Sequence, residues 1–131
     1  MTDSAAVDTN AVIQLLNRSL HPRVLGFDEI LVPKIVVGEL LFGAHNSDRV
    51  EDNRRRVFSF LNRVSLLDID TEIADLYGRI KAQLRRNGKP IPQNDVWIAA
   101  TAMRHGLPLV TDDQHFERIE GLITIPWQRP A

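Results

Sequence analysis

Four acidic side chains are the residues here best suited to chemistry: Asp8, Glu39, Asp95 and Asp113. They lie far apart in sequence, yet each falls where an α/β fold would carry it to one end of a sheet. Carboxylates that converge on one point repel one another unless a cation sits between them. Oxygen donors without His or Cys neighbours select Mg²⁺ or Mn²⁺ over zinc. Such an ion can activate water, align it with a phosphodiester and stabilise the leaving oxygen. Two ions about 4 Å apart could divide these tasks. Thr9, Asn10, Asn94 and Thr111 are polar neighbours suited to orienting the acids. Asp112 is the weaker candidate of the Asp112-Asp113 pair.

Each acid also has a plainer reading. Asp8 follows an apolar strand in Val7-Asp8-Thr9-Asn10 and could simply cap the next helix. Asp95 sits in a first helical turn, where the helix dipole favours a negative charge and Asn94 could serve as cap. Asp113 could cap a short helix over residues 114–120. Glu39 lies in Val36-Val37-Gly38-Glu39-Leu40-Leu41-Phe42. Its plainer reading is a snorkelling Glu on the exposed stripe of the helix, but a carboxylate among apolar neighbours is costly unless paired or bound to a cation, and little of this helix reads as a solvated face.

The elements that must position these acids alternate in type. Residues 5–7 read as a buried strand ending at Asp8, and residues 10–17 as a helix. Residues 30–32 read as a second strand stopped by Pro33, which suits the first turn of a helix running to Phe42. Ser47 or Asp48 could cap a charged helix carrying Val50, Val57, Phe58 and Leu61. Residues 64–67 form a third strand candidate. Asp70 or Thr71 opens a helix with Ile73, Ala74, Tyr77, Ile80 and Leu84 at helical spacing, ended by Asn87-Gly88. A helix over residues 95–105 ends at Gly106. Strands at 109–110 and 122–125 close the list. This alternation predicts an α/β fold of three layers, a mostly parallel sheet flanked by helices, in a single domain over residues 1–131. In such sheets ligands bind beyond the carboxyl ends of the strands, where the strand order reverses. Asp8 and Asp113 both follow strands directly.

Composition narrows the class. With 131 residues, 44% of them hydrophobic, the chain can bury a core, and it has no cysteine. Disulfides, zinc fingers and thiol nucleophiles are thereby excluded. There is no apolar run of the roughly 20 residues that a membrane span needs. Nothing at the N-terminus reads as a signal peptide, so a cytoplasmic protein without membrane contact is expected. The formal net charge is −1, so any nucleic acid must be held by local basic patches. Lys81, Arg85, Arg86 and Lys89, just before the loop to Asp95, are candidate RNA contacts, as is His115. Arg54-Arg55-Arg56 reads better as a solvated face or a protein contact. Trp97 reads as packing.

At this point the chain resembles the PIN-domain family and, within it, the VapC-type toxins. The resemblance rests on Val7-Asp8-Thr9-Asn10, on Val37-Gly38-Glu39-Leu40-Leu41-Phe42-Gly43-Ala44, on Pro92-Gln93-Asn94-Asp95-Val96-Trp97-Ile98-Ala99-Ala100 and on Leu109-Val110-Thr111-Asp112-Asp113-Gln114-His115-Phe116. One segment alone is weak, but four in order are specific. The resemblance implies Asp8, Glu39, Asp95 and Asp113 as ligands of Mg²⁺ (or Mn²⁺), with Thr9 and Thr111 assisting. It implies an endoribonuclease acting on structured RNA, with transfer and ribosomal RNA both as candidates. It also implies a homodimer inhibited by a small VapB-type antitoxin. Asp8, Glu39 and Asp95 would hold the metal, and Asp113 would complete the site or place a second ion. No protein nucleophile is expected.

The rivals fit less well. A receiver-type signalling domain needs a lysine after its last strand, and the last lysine is Lys89. A haloacid-dehalogenase-type phosphatase needs a second acid where Asn10 stands. A catalytically silent binding module would have no use for all four acids.

Overall fold

The computed structural model describes residues 3–127. Five parallel strands form one sheet in the order β3-β2-β1-β4-β5. They are β1 Ser4–Val7, β2 Glu29–Pro33, β3 Ser65–Leu67, β4 Leu109–Val110 and β5 Thr124–Ile125. The helices α1 Thr9–Asn17, α2 Lys34–His45, α3 Val50–Leu61, α4 Thr71–Arg86 and α5 Gln93–Arg104 flank the sheet in three layers. The three-layer α/β architecture expected from the sequence is therefore the one found.

β1 is the central strand, and Ala5, Ala6 and Val7 are fully buried. A strand covered on both faces reads as a continuous apolar run, which is how this segment is written. Ala6 pairs with Leu31 on one side and with Leu109 on the other. From β1 the chain adds β2 and β3 in one direction, then returns to place β4 and β5 in the other. The order thus reverses between β1 and β4, and a crevice opens beyond the carboxyl ends of those two strands.

Helix ends follow the sequence closely in some places and not in others. Asp70 caps α4, its carboxylate accepting from the Ile73 N–H at 2.8 Å. Gly88 takes φ +67° just past the Asn87 C-cap of α4, a conformation that favours glycine. Pro33, expected inside the first turn of α2, instead ends β2 and stands at the N-cap. Neither Ser47 nor Asp48 caps α3, whose N-cap is Arg49. The Ser47 hydroxyl instead donates to the Ala44 carbonyl and accepts from Asn53, tying the α2–α3 turn together. α5 starts two residues earlier than expected, with Pro92 at the N-cap, so Asn94 lies within the first turn. The last strand shortens to Thr124–Ile125. A 3-10 turn at Pro22–Leu25 was not legible in the sequence pattern.

α5 carries Ala99, Ala100 and Ala102, all fully buried, and such small side chains allow close packing. It meets α4 through a stacked pair, Tyr77 and Trp97, with ring centroids 3.8 Å apart. Trp97 is therefore packing, as its position predicted. On α1 and α2, Val12, Leu15, Val36 and Leu40 enter the core.

Candidate active site

Asp8 leaves the end of β1 and is only 4% exposed. Its two carboxylate oxygens are engaged in different ways. Oδ1 accepts from the Ala11 N–H at 2.9 Å, so the capping reading of Asp8 holds. Oδ2 accepts from the Thr111 hydroxyl at 2.5 Å. Thr111 follows β4, so this bond ties the two strands that flank the order reversal. The Thr111 Oγ1 also accepts from the Asp113 N–H at 3.0 Å. One buried hydroxyl thereby sets both Asp8 and the backbone of Asp113.

Glu39 is placed by α2 and held by Thr9, whose hydroxyl donates to its Oε1 at 2.5 Å. The expectation that α2 has little exposed face is corrected by the structure. Val36, Leu40 and Ala44 are buried, while Lys34, Gly38, Phe42 and Gly43 are exposed. Glu39 stands at the boundary between these faces. Asp95 lies in the first turn of α5. Asp113 caps the 3-10 turn Gln114–Arg118, its Oδ1 accepting from the His115 N–H at 2.9 Å. The helix expected at residues 114–120 is thus a shorter, tighter turn.

All four acids line one cleft of about 820 Å³, together with Thr9, Asn10 and Asn94. Asp95, Asp113 and His115 each bring one ligand atom within 4.8 Å of the others. His115 Nδ1 lies 3.3 Å from Asp113 Oδ1, so the site is not free of histidine as the sequence reading supposed. Asp112 differs from its neighbour. Its Oδ1 accepts from the Trp127 N–H at 2.7 Å, and it does not line the cleft that the four acids share.

Crowding shows in the titration of the acids. Burial pushes the Asp95 carboxyl up to about 6, and the charges of Asp113, Glu39 and Asp8 add to it while His115 opposes. Burial likewise raises Asp8 above the ordinary carboxylate range, against the hydrogen bonds from Thr111 and Ala11, with Asp113 and Asp112 adding to the rise. Acids that resist ionising together, all facing one open cleft, fit a hard divalent cation.

The PIN-domain family profile matches residues 5–122. The chain belongs to the PIN-domain family. Its relatives place it among the VapC proteins. A "Ribonuclease VapC2" of Haemophilus influenzae is 37% identical, the match covering 92% of this chain and 96% of that one. A "tRNA(fMet)-specific endonuclease VapC" of Salmonella typhimurium is 36% identical over the same shares. Among solved structures, a DNA-bound VapBC from Salmonella typhimurium has a chain of 32% identity and a TM-score of 0.89, covering 98% of this chain and all of that one. VapBC2 from Rickettsia felis, bound to a DNA fragment from its promoter, has a chain of 27% identity and a TM-score of 0.88.

Of the basic residues proposed for RNA, Lys89 reaches a groove lined also by Asp112, Asp113 and His115. Lys81 contacts the Tyr77 hydroxyl and Gln93 Oε1, at the start of α5. Arg85 and Arg86 are exposed in the last turn of α4. Within the arginine run, Arg54 and Arg55 pair with Glu51 and Asp52 one turn earlier, and Arg56 donates to the Leu16 carbonyl at the end of α1. Sequence reasoning passed over Lys34, Gly38 and Phe42, which line the cleft beside Glu39. Their i, i+4, i+8 spacing on α2 was the available signal.

Proposed function

We propose that this chain is a metal-dependent endoribonuclease and the toxin of a VapBC-type toxin–antitoxin pair. The observation that carries the proposal is the convergence of Asp8, Glu39, Asp95 and Asp113 on one cleft at the β1/β4 reversal. Asp8, Glu39 and Asp95 would hold Mg²⁺ or Mn²⁺, and Asp113 would complete the set or place a second ion. When bound, the ion supplies Lewis acidity, making water reactive near neutral pH and balancing charge on the phosphate.

The chain's own residues prepare that site. Thr111 and the Ala11 N–H hold the Asp8 carboxylate in one orientation. Thr9 does the same for Glu39. Burial and the charges of Asp113, Glu39 and Asp8 raise the Asp95 carboxyl to about 6, and a cation in the cleft would offset that rise and favour its ionised form. His115, whose Nδ1 lies 3.3 Å from Asp113 Oδ1, would contact a phosphate. Lys89 adds positive charge on the same side. No side chain is required as nucleophile.

Relatives named for cleavage of tRNA(fMet) support transfer RNA as the first substrate to try. Relatives solved as VapBC complexes support a VapB-type antitoxin as partner. A homodimer in the cytoplasm completes the reading. No helix among the described residues is long and apolar enough to cross a membrane.

The test is cleavage of total cellular RNA and of initiator tRNA by the antitoxin-free chain. It is run with Mg²⁺ or Mn²⁺, with EDTA, and with Asp95→Asn. Discrete products that require both metal and Asp95 are expected. Folded protein that neither cuts RNA nor binds metal would overturn the proposal. Light scattering of the same sample reads the oligomeric state.

A further inference from the structure

Lys34, Gly38 and Phe42 recur every four residues along α2 and all line the acidic cleft. Such spacing puts them in one row on the helix surface. Each is unusual on internal grounds. Phe42 is 69% exposed, although aromatic side chains normally go to the core. Gly38 sits inside a helix, where glycine is unfavourable, yet a Cβ there would meet nothing within 4 Å. Packing within the chain therefore does not require this glycine. Among the described residues Lys34 is engaged only by Asp68, at 3.1 Å, with the two side chains 46% and 83% exposed. A pair so open to water holds its lysine weakly.

Resting on the nuclease reading above, we propose that this face of α2 is the track on which a single-stranded segment of the RNA substrate lies. Lys34 takes a phosphate, as an ammonium does in exchange for an exposed carboxylate partner. Gly38 leaves the helix surface bare, so that the strand approaches closely beside Glu39. Phe42 stacks a base, a contact that single-stranded nucleic acid makes with exposed aromatic rings and a duplex does not. The row thus places a phosphate, a close approach and a base in series along the edge of the carboxylate cleft. It selects an unpaired loop over a helix.

The experiment uses the full chain with an RNA hairpin whose loop carries 2-aminopurine at successive positions. Binding is read in an Asp95→Asn background, which keeps the RNA intact. Quenching at one loop position is expected, retained by Phe42→Trp and abolished by Phe42→Ala. In the otherwise wild-type chain, Phe42→Ala lowers kcat/KM on the hairpin about tenfold, the size expected for one base stack. Gly38→Ala raises the melting temperature while Gly38→Leu lowers kcat/KM by a similar factor, a pairing that a structural role would not produce. Lys34→Ala flattens the salt dependence of binding. In the chain that keeps Asp95, the Mn²⁺-induced thermal shift of the Lys34, Gly38 and Phe42 variants stays unchanged. The proposal is overturned if Phe42→Ala and Gly38→Leu bind and cut the hairpin as wild type does. It is equally overturned if Phe42→Ala changes only the oligomeric state by light scattering, which would mark the face as a protein interface. If the wild-type chain takes up Mn²⁺ but cuts no RNA, the nuclease reading fails and the track fails with it.

Discussion

The Thr111 hydroxyl donates to Asp8 Oδ2 at 2.5 Å, joining residues 103 positions apart. It does so at the point where the strand order reverses, and it also receives the Asp113 N–H. Thr111→Val keeps the shape and removes the hydroxyl. Two buried or half-buried polar groups then lose their partner, which costs about 1–3 kcal/mol. Metal affinity should fall by roughly 10–100-fold, the usual effect of losing a partner that orients a ligand. Thermal denaturation and Mn²⁺ titration calorimetry read the two effects separately.

Removing charge from the cleft should separate activity from stability. Asp95→Asn is expected to cut RNA no faster than a protein-free control, yet to melt at or above the wild-type temperature in EDTA. The gain follows from relieving the burial and the like charges that now raise the Asp95 carboxyl. Asp8→Asn keeps an oxygen for the Ala11 N–H and should also stay folded. Unfolding of either variant would show that its acid serves the fold first.

The pH dependence has a definite sign. Asp95 has a folded-state pKa of about 6 against an ordinary 3.8, and Asp8 is shifted in the same direction. Between those values the folded chain binds more protons than the unfolded chain. These two groups therefore make the metal-free protein lose stability as pH rises from about 4 to about 6. Metal binding requires the ionised acids, so metal affinity should weaken as pH falls through about 6. Melting curves across pH, in EDTA and in Mg²⁺, should slope in opposite directions over this window. Parallel slopes would contradict the assignment.

Trp97 should matter to the fold and not to RNA. Trp97→Ala removes half of the Tyr77 stack between α4 and α5 and should cost about 3 kcal/mol. Trp97→Phe keeps a ring and should cost less. Per folded molecule, kcat/KM on RNA should be unchanged. A selective loss of RNA binding in Trp97→Phe, with stability intact, would make Trp97 a substrate contact after all.

Local signals were read well where the chain's own neighbours decide the outcome. Asp70 caps α4 because its carboxylate needs only the Ile73 N–H three residues on. The run Ala5-Ala6-Val7 is a central strand because a strand covered on both faces must be apolar throughout. Errors arose where distant contacts decide. Ser47 looks like a helix cap, yet its hydroxyl bonds to Ala44 and Asn53, and α3 starts after Arg49. Asp112 reads as the weaker candidate beside Asp113 in the sequence, but the contacts that separate the two acids are tertiary. The Trp127 N–H takes Asp112, while Thr111 and His115 hold Asp113 in the cleft.

The sequence by itself determined the alternation of strands and helices, the PIN-type order of the four acids and the burial of the strand ahead of Asp8. These follow from hydrophobic period and from residue types at strand ends, which are local properties of the chain. Only the tertiary structure decided how the acids are held: Asp8 by Thr111, Glu39 by Thr9, and Asp113 beside His115. It alone raised Asp95, because burial and three further carboxylates act on it through space and leave no mark in its own segment. It also turned an apparently buried helix, α2, into one with an open face of Lys34, Gly38 and Phe42. Exposure depends on what other elements leave uncovered, and no single segment records that.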